Sequence, residues 1–343
     1  MMETTELRPG YTISRLIKGG WQLAGGHGAV ATEAAHADMA AYLAAGIRAF
    51  DCADIYTGVE ALIGGFRATL PPDIRASLKV HTKFVPDLDV LATIDKAAIR
   101  RLIERSLSRL GQERLDLVQF HWWDFAQPLW FDTAHHLADL QAAGLIDQLG
   151  GTNFDTARAA ALIDAGVPLA TMQVQYSLLD ERPARAMADL CARSGMRLLC
   201  YGTLAGGFLG EKWLGLADPT GALENRSLVK YKLIIDDAGG WDWFQALLRV
   251  LAGIGARHGV GIGAVATRWV LDQPHVAAAI VGVRHPAHLP QHIAVSGLRL
   301  DGRDRQDLAR ILDDRTPLAG DVYELERDRH GRHGRIMKYD LNR

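Results

Sequence analysis

The 343-residue sequence contains only three cysteines, Cys52, Cys191 and Cys200, and none stands at a spacing that suits a zinc site or a disulfide framework. Their position inside strand- or helix-like runs predicts free thiols in a reducing compartment. No apolar run reaches the roughly 18 residues that a membrane span needs. Met1-Met2-Glu3-Thr4-Thr5-Glu6 lacks the basic, apolar and small-residue regions of a signal peptide. A soluble, cytoplasmic protein is therefore expected. Neither sign of charge dominates, with 38 Lys and Arg against 40 Asp and Glu. That balance removes the electrostatic case for nucleic acid or an anionic membrane as partner. No repeat, low-complexity stretch or linker divides the chain, so residues 1–343 are expected to form one domain around one core.

Strand-like and helix-like segments alternate along the chain. Ile13–Leu23 contains a first strand ending in Gly19-Gly20-Trp21-Gln22, where glycines would let a flat ligand approach the backbone. Further strands are expected up to Asp51, over Leu78–Lys83, Leu115–Phe120, Ile146–Thr152, Ala170–Gln175, Met196–Tyr201 and Val276–Val283. Helices are expected between them. The clearest spans Ala97–Leu110, with Ile99, Leu102, Ile103, Leu107 and Leu110 at helical spacing and Gly111 ending it. Asp155 is expected to cap another, and Pro183 to sit in the first turn of a third. Eight such alternations predict an α/β fold, a (β/α)8 TIM barrel. A long loop would follow strand seven, from Gly202 to about Gly240, and a tail rich in Arg and His would close the chain as a solvated, flexible segment.

Four side chains carry the chemistry. Phe50-Asp51-Cys52-Ala53-Asp54-Ile55-Tyr56 places an acid at a strand end and a tyrosine just beyond it, while Lys83 and His121 end the next two strands. Singly, an Asp, Tyr, Lys or His at such a place is more often a cap or a half-buried side chain. All four at matching ends of consecutive strands would meet on the rim where barrels do chemistry. Carbonyl reduction needs a proton donor, and an unperturbed tyrosine, near pKa ~10, releases its proton poorly. A neighbouring ammonium is expected to lower that pKa, a carboxylate to hold the ammonium, and an imidazole to orient the carbonyl and pass the proton. A metal-dependent hydrolase is disfavoured. His81 precedes Lys83 in its strand and His135-His136 falls in a helix, so no ligand cluster gathers at strand ends.

These residues give the sequence a resemblance to the aldo-keto reductase family over essentially the whole barrel. Residues 50–56 are similar to the family's F-D-[ST]-A-x-x-Y, which implies Asp51, Tyr56, Lys83 and His121 as a catalytic tetrad. Gly151-Thr152-Asn153-Phe154 resembles G-[VI]-S-N-F, so Thr152 and Asn153, with Gln173, would hold the carboxamide of a nicotinamide. Tyr201-Gly202-Thr203-Leu204-Ala205-Gly206-Gly207-Phe208-Leu209 resembles Y-S-P-L-x-x-G-[FL]-L. Tyr201 would stack on the nicotinamide, and the backbone of Gly202, Thr203, Leu204 and Gly206 would follow the pyrophosphate. Gly20 and Trp21 would also meet the cofactor. The segment from Gly282 to His292 is similar to G-x-[RK]-x3-[QR]-x2-E-N, which implies Gly282, Arg284, His288, Gln291 and His292 around the adenosine 2′-phosphate. His288, Gln291 and His292 depart from the family pattern.

The resemblance implies an NADPH-dependent oxidoreductase acting on a small aldehyde, sugar or ketone, with NADH the lesser cofactor. The histidines predict that affinity for the phosphate falls as pH rises from about 6 to 8. Trp21, Ile55, Trp122 and Trp123 are the expected substrate pocket, and Trp130 and Trp269 are expected to be packing residues. An alternative is a cofactor-binding, redox-sensing module, as in the channel-associated β subunits of the same family.

Overall fold

In the computed structural model, which describes residues 2–24, 31–282 and 286–337, the chain opens on a hairpin that the sequence reading did not anticipate. β1 (Thr4–Arg8) and β2 (Tyr11–Ser14) pair antiparallel around Gly10, whose φ of 78° suits only a residue without Cβ. Leu7, Tyr11 and Ile13 pack against Ile17, Ala49, Leu117 and Leu199, closing the end of the barrel at which its strands begin.

The remaining strands form a closed, all-parallel barrel: β3 (Leu16–Gly19), β4 (Ala49–Asp51), β5 (Lys79–Phe84), β6 (Leu115–Phe120), β7 (Ile146–Thr152), β8 (Leu169–Gln175), β9 (Arg197–Tyr201) and β10 (Val276–Gly282), which returns to β3. This is the expected (β/α)8 architecture. Register fixes the site, because Asp51 stands beside His81, Lys83 beside Gln119, and Thr152 beside Gln173. Side chains two residues apart share a face, so His81 lies one layer below Lys83 inside the barrel.

Local chemistry places the helices. Among α1 (Thr32–Ala44), α2 (Val59–Thr69), α3 (Pro72–Ser77) and α4 (Lys96–Leu110), the last shows the rules most plainly. Asp95 accepts from the Ala98 amide at its start, and Gly111 takes a left-handed φ of 60° at its end. Ile99, Ile103 and Leu110 are buried, with Leu102 and Leu107 half-buried beside them. After α5 (Trp130–Ala142), Asp155 caps α6 (Thr156–Asp164) through the Arg158 amide. Pro183 falls in a 3-10 turn ahead of α7 (Ala186–Ser194), not inside that helix.

Two expectations fail. The 202–240 connection is not a plain loop, since Asn225 caps a 13-residue helix, α8 (Arg226–Ala238), which buries Leu228, Tyr231, Ile234, Ile235 and Ala238. The preceding segment is pinned as well, with Gln245 bonding Gly215 and Trp213 and the Trp241 indole donating to Leu216. Beyond it come α9 (Gly240–His258), α10 (Ile262–Leu271), α11 (Leu289–Gly297) and α12 (Gly302–Asp313). The tail through residue 337 is also not a flexible, solvated segment. It crosses the barrel mouth with a short helix, α13 (Glu324–Arg327), whose Glu326 is buried against Arg182 at 3.3 Å and Lys230 at 3.5 Å. Arg329 pairs with Asp124, while Arg332 and His333 both pair with Asp237. Arg329, Arg332 and His333 are thus matched by acids outside the tail. Among the described residues no single helix is long and apolar enough to cross a membrane.

Two measurements test this packing. Glu326→Ala leaves Arg182 and Lys230 without their shared anion, and should cost about 3 kcal/mol in urea unfolding while exposing the tail to proteolysis. His81 is fully buried, neither ring nitrogen has a partner among the described residues, and Tyr11, Lys79, Lys83, Asp51 and Asp116 surround it. Burial lowers its pKa to about 4, so the unfolded chain, with a histidine pKa near ~6.5, takes up the proton first as pH falls. His81 therefore withdraws stability between those two values. In His81→Leu, unfolding free energy should fall less steeply from neutral pH to about pH 4 than in the wild type.

Candidate active site

The strand ends assemble one cleft of about 520 Å³ at the mouth of the barrel. At its floor the Lys83 ammonium donates to Asp51 Oδ2 at 2.6 Å and to the Cys52 carbonyl at 2.8 Å. Asp51 Oδ1 accepts from Gln173 Nε2 at 2.7 Å and Gln119 Nε2 at 3.1 Å. The carboxylate is held by three donors and cannot turn away. A carboxylate only accepts, so both glutamines must present their NH2 groups to it. Gln173 Nε2 also donates to Gln119 Oε1, which leaves Gln173 Oε1 facing the cleft.

The Tyr56 ring lies 5.0 Å from the Lys83 ammonium and edge-on to Trp21. The expected lowering of its pKa is reversed. Burial raises it, the Lys83 charge pulls it back only in part, and Asp51 pushes it up again. Tyr56 is therefore a phenol at neutral pH, held ready to give a proton. Burial disfavours the Lys83 ammonium, but Asp51 and Tyr56 more than compensate and its pKa is raised. His121 is pressed edge-on by Trp123 and Tyr323, with ring centroids at 4.3 and 5.9 Å. Its Nδ1 lies 3.1 Å from the Thr152 carbonyl. Burial, with the nearby Arg327 charge, lowers its pKa to about 3, so the ring is neutral.

The expected cofactor residues line much of the same cleft. Asn153 has a left-handed φ of 61°, and its Oδ1 accepts from the Tyr201 hydroxyl at 2.9 Å. Thr152 is buried beside it. Gly202 and Gly206 have φ of 73° and 67°, and a Cβ at either would meet the Tyr231 ring or hydroxyl at 2.8 Å or less. Only glycine lets this backbone pass between the cleft and α8. Thr203 and Leu204 lie between them, and Gly282 ends β10 with the Gln22 amide against its backbone. His288 is exposed on the rim, and the Gln291 amide lies over Gly261 and Gly263 at the start of α10. His292 is buried, bonded to the Tyr42 hydroxyl at 2.9 Å, and burial lowers its pKa to about 4. It stays neutral from pH 6 to 8 and cannot supply the expected pH dependence. Arg284 lies outside the described residues.

Trp21, Ile55 and Trp123 line the cleft as expected, but two residues do not. Trp122 is fully buried on the opposite side of the chain from Trp123, packed on Phe120, with its indole N–H given to the carbonyls of Asp124 and Gln127. Gly20 lies beneath the rim, where its amide donates to the Asp51 carbonyl at 2.7 Å and a Cβ would sit 2.8 Å from that oxygen. Its role is close strand packing, not contact with a ligand.

Sequence reasoning also missed residues the structure brings in. Lys230 of α8 reaches the cleft among the rings of Tyr201, Tyr231 and Tyr323, at 5.3 to 5.6 Å from their centroids. Arg327 reaches in from the tail and donates to the carbonyls of Trp122, Trp123 and Asn153, tying α13 to the ends of β6 and β7. The helical spacing of Leu228, Tyr231 and Ile235 was the available signal for α8, and nothing local marked Arg327.

The model of the Aldo/keto reductase family matches residues 15–313. Flagellar radial spoke protein 5 of Chlamydomonas reinhardtii is 30% identical over 257 residues, 64% of this chain and 49% of that protein. Aldo-keto reductase YhdN of Bacillus subtilis is 29% identical over 224 residues, 64% of each chain. The match thus spans about half of the first relative's length and just under two thirds of the second's. Among solved structures, the glycerol dehydrogenase of Gluconobacter oxydans superposes with a TM-score of 0.76 at 25% identity, covering 90% of this chain and 94% of that one.

Proposed function

The chain belongs to the aldo/keto reductase family, and we propose that it reversibly transfers hydride between NADPH and the carbonyl or alcohol carbon of a small aldehyde, sugar or ketone, with Tyr56 as the proton donor. One observation carries this reading: a phenol, 5.0 Å from an ammonium that is itself locked at 2.6 Å to a carboxylate, at the floor of an open cleft.

The residues present fit the cofactor. Gly202 and Gly206, at positive φ with no room for a Cβ, keep backbone open along the cleft wall, as a pyrophosphate would need. Gln173 Oε1 is the free end of an amide whose NH2 is committed, so it can accept from a carboxamide NH2. Asn153, whose Oδ1 is taken by Tyr201, can offer its own NH2 to the carboxamide oxygen. Thr152 would complete that contact and the Tyr201 ring would meet the nicotinamide. Arg284, by sequence, would take the 2′-phosphate as a bidentate donor. Bound NADPH supplies the hydride. This chain's part is to hold the carbonyl oxygen at the Tyr56 hydroxyl and deliver the proton there. Lys83 then stabilises the phenolate that remains, and Asp51 keeps Lys83 charged and aimed.

Two variants test the reading. Tyr56→Phe should lower kcat on a panel of aldehydes and sugars by at least a hundredfold, within the range lost with a general acid, while cofactor affinity by fluorescence titration stays unchanged. Wild-type protein that binds NADPH tightly yet turns over none of the panel would instead support the redox-sensing alternative. Arg284→Gln should weaken NADPH binding about tenfold or more and leave NADH binding near its wild-type value. Equal losses for both would remove the 2′-phosphate from the assignment.

A further inference from the structure

The turn that carries Tyr56 is tied to the strand that carries Lys83 at two points, and the second of them is a buried acid outside the cleft. The Cys52 amide donates to the His81 carbonyl at 2.8 Å, continuing the ladder between β4 and β5 into the turn. Two residues before Tyr56, Asp54 Oδ2 accepts from the amide of Val85, which stands two residues beyond Lys83, at 3.1 Å. Arg109 of α4 donates to the Asp54 carbonyl at 3.3 Å, and the Tyr56 amide donates to the Ala53 carbonyl at 3.0 Å. The spacing between phenol and ammonium is therefore set through the Asp54 side chain as well as through the pair of Lys83 with Asp51.

Asp54 is only 5% exposed, and its Oδ1 is buried with no hydrogen-bond partner among the described residues. Around it stand Glu60 on α2, Arg105 and Arg109 on α4, and the amides of Ile55 and Val85. Glu60 is engaged elsewhere, accepting from Thr82 Oγ1 at 2.6 Å and pairing with Arg109 at 3.3 Å. An ionised Asp54 would hold a charged oxygen without a donor, away from water and beside a second acid. Burial raises its pKa to about 8; the Val85 bond opposes this in part, Glu60 adds to it and Arg105 subtracts. At neutral pH Asp54 is therefore mostly the neutral acid.

We propose that Asp54 is a positioning residue for proton delivery: as a neutral acid it pins the Tyr56 turn to the end of β5, and its ionisation in mild alkali loosens that turn and slows hydride transfer. The inference rests on Tyr56 as the proton donor. A charged Oδ1 draws water in behind the turn, and Tyr56 then leaves its place beside Lys83. Three groups at the floor of the cleft titrate outside this range. Burial lowers His121 to about 3 and raises Tyr56, while Asp51 raises Lys83 in spite of its burial.

Asp54→Asn provides the test, because it keeps an oxygen for the Val85 amide and cannot ionise. The rate of NADPH oxidation in a single turnover with excess aldehyde should fall about tenfold from pH 7 to pH 9 in the wild type, following the neutral fraction of an acid of pKa about 8. In Asp54→Asn it should stay level. Asp54→Ala leaves the Val85 amide unpaired and should be slower by about tenfold already at pH 7, with NADPH affinity by fluorescence titration unchanged. A level wild-type profile, the same fall in Asp54→Asn, or an Asp54→Ala variant as fast as the wild type would overturn the proposal. If Asp54→Ala does not fold, the two pH profiles still decide. Carbon NMR of protein labelled at aspartate carboxyls and tyrosine rings reads the same coupling without turnover. One aspartate resonance, missing from Asp54→Asn, should titrate near pH 8, and the Tyr56 signal, identified by its loss in Tyr56→Phe, should move with the same midpoint. A Tyr56 signal that stays in place would also overturn it. If no aldehyde is reduced, the assigned reaction fails, and this titration still decides whether Asp54 governs the turn.

Discussion

The buried pair between Lys83 and Asp51 is the contact on which the site depends. Removing both charges from water costs several kcal/mol per ion, and their attraction offsets this only when the remaining lone pairs and protons are also used. Here they are. Two amides hold the second carboxylate oxygen, and the Cys52 carbonyl takes a second proton of the ammonium. Gln119 joins this layer from β6, and Gln173 is drawn into it from β8, four strands from the β4 that carries Asp51. The pair therefore fixes β4, β5, β6 and β8 at one height, and Tyr56, on the turn after β4, is positioned by what lies beneath it.

The electrostatics of the cleft follow from this layer. Lys83 stays charged because an anion is within bonding distance, and His121 stays neutral because burial and the nearby Arg327 charge disfavour its cation. Tyr56 falls between the two. Its raised pKa shows that enclosure outweighs one nearby cation when that cation is already shared with an acid. A phenol is the form suited to giving a proton, and in the proposed reaction the ammonium would act mainly on the phenolate that follows.

Much of this was legible in the chain. Strand ends could be read because parallel strands are short apolar runs with polar residues where they emerge, and the limits of β6 and β7 agree with the sequence reading at both ends. The stop of α4 and the cap of α6 were legible because Gly111 and Asp155 act on neighbours within a few residues. What failed depends on distance along the chain. Arg182 and Glu326 are separated by 144 positions, and a charged segment looks solvated until its partners are known. Trp122 and Trp123 are adjacent, so alternation allows only one into the cleft, and sequence did not say which. The helix α8 could have been read, because its apolar spacing is regular, but the glycines before it made the whole connection look like a loop. Tyr56 was placed correctly in the chain, but its titration was read from one neighbour instead of from the burial of the whole turn.

The closure of the barrel has a consequence for how the protein is made. β10 pairs with β3, joining residues near position 280 to residues near position 17. Until a ribosome has released that distant segment, the nascent sheet carries two unpaired edges, with β3 open along one side. Every earlier strand can find its neighbour in order, but the ring cannot shut. During most of synthesis the growing chain therefore depends on other cover for those edges, and Arg327, which ties the mouth together, emerges later still.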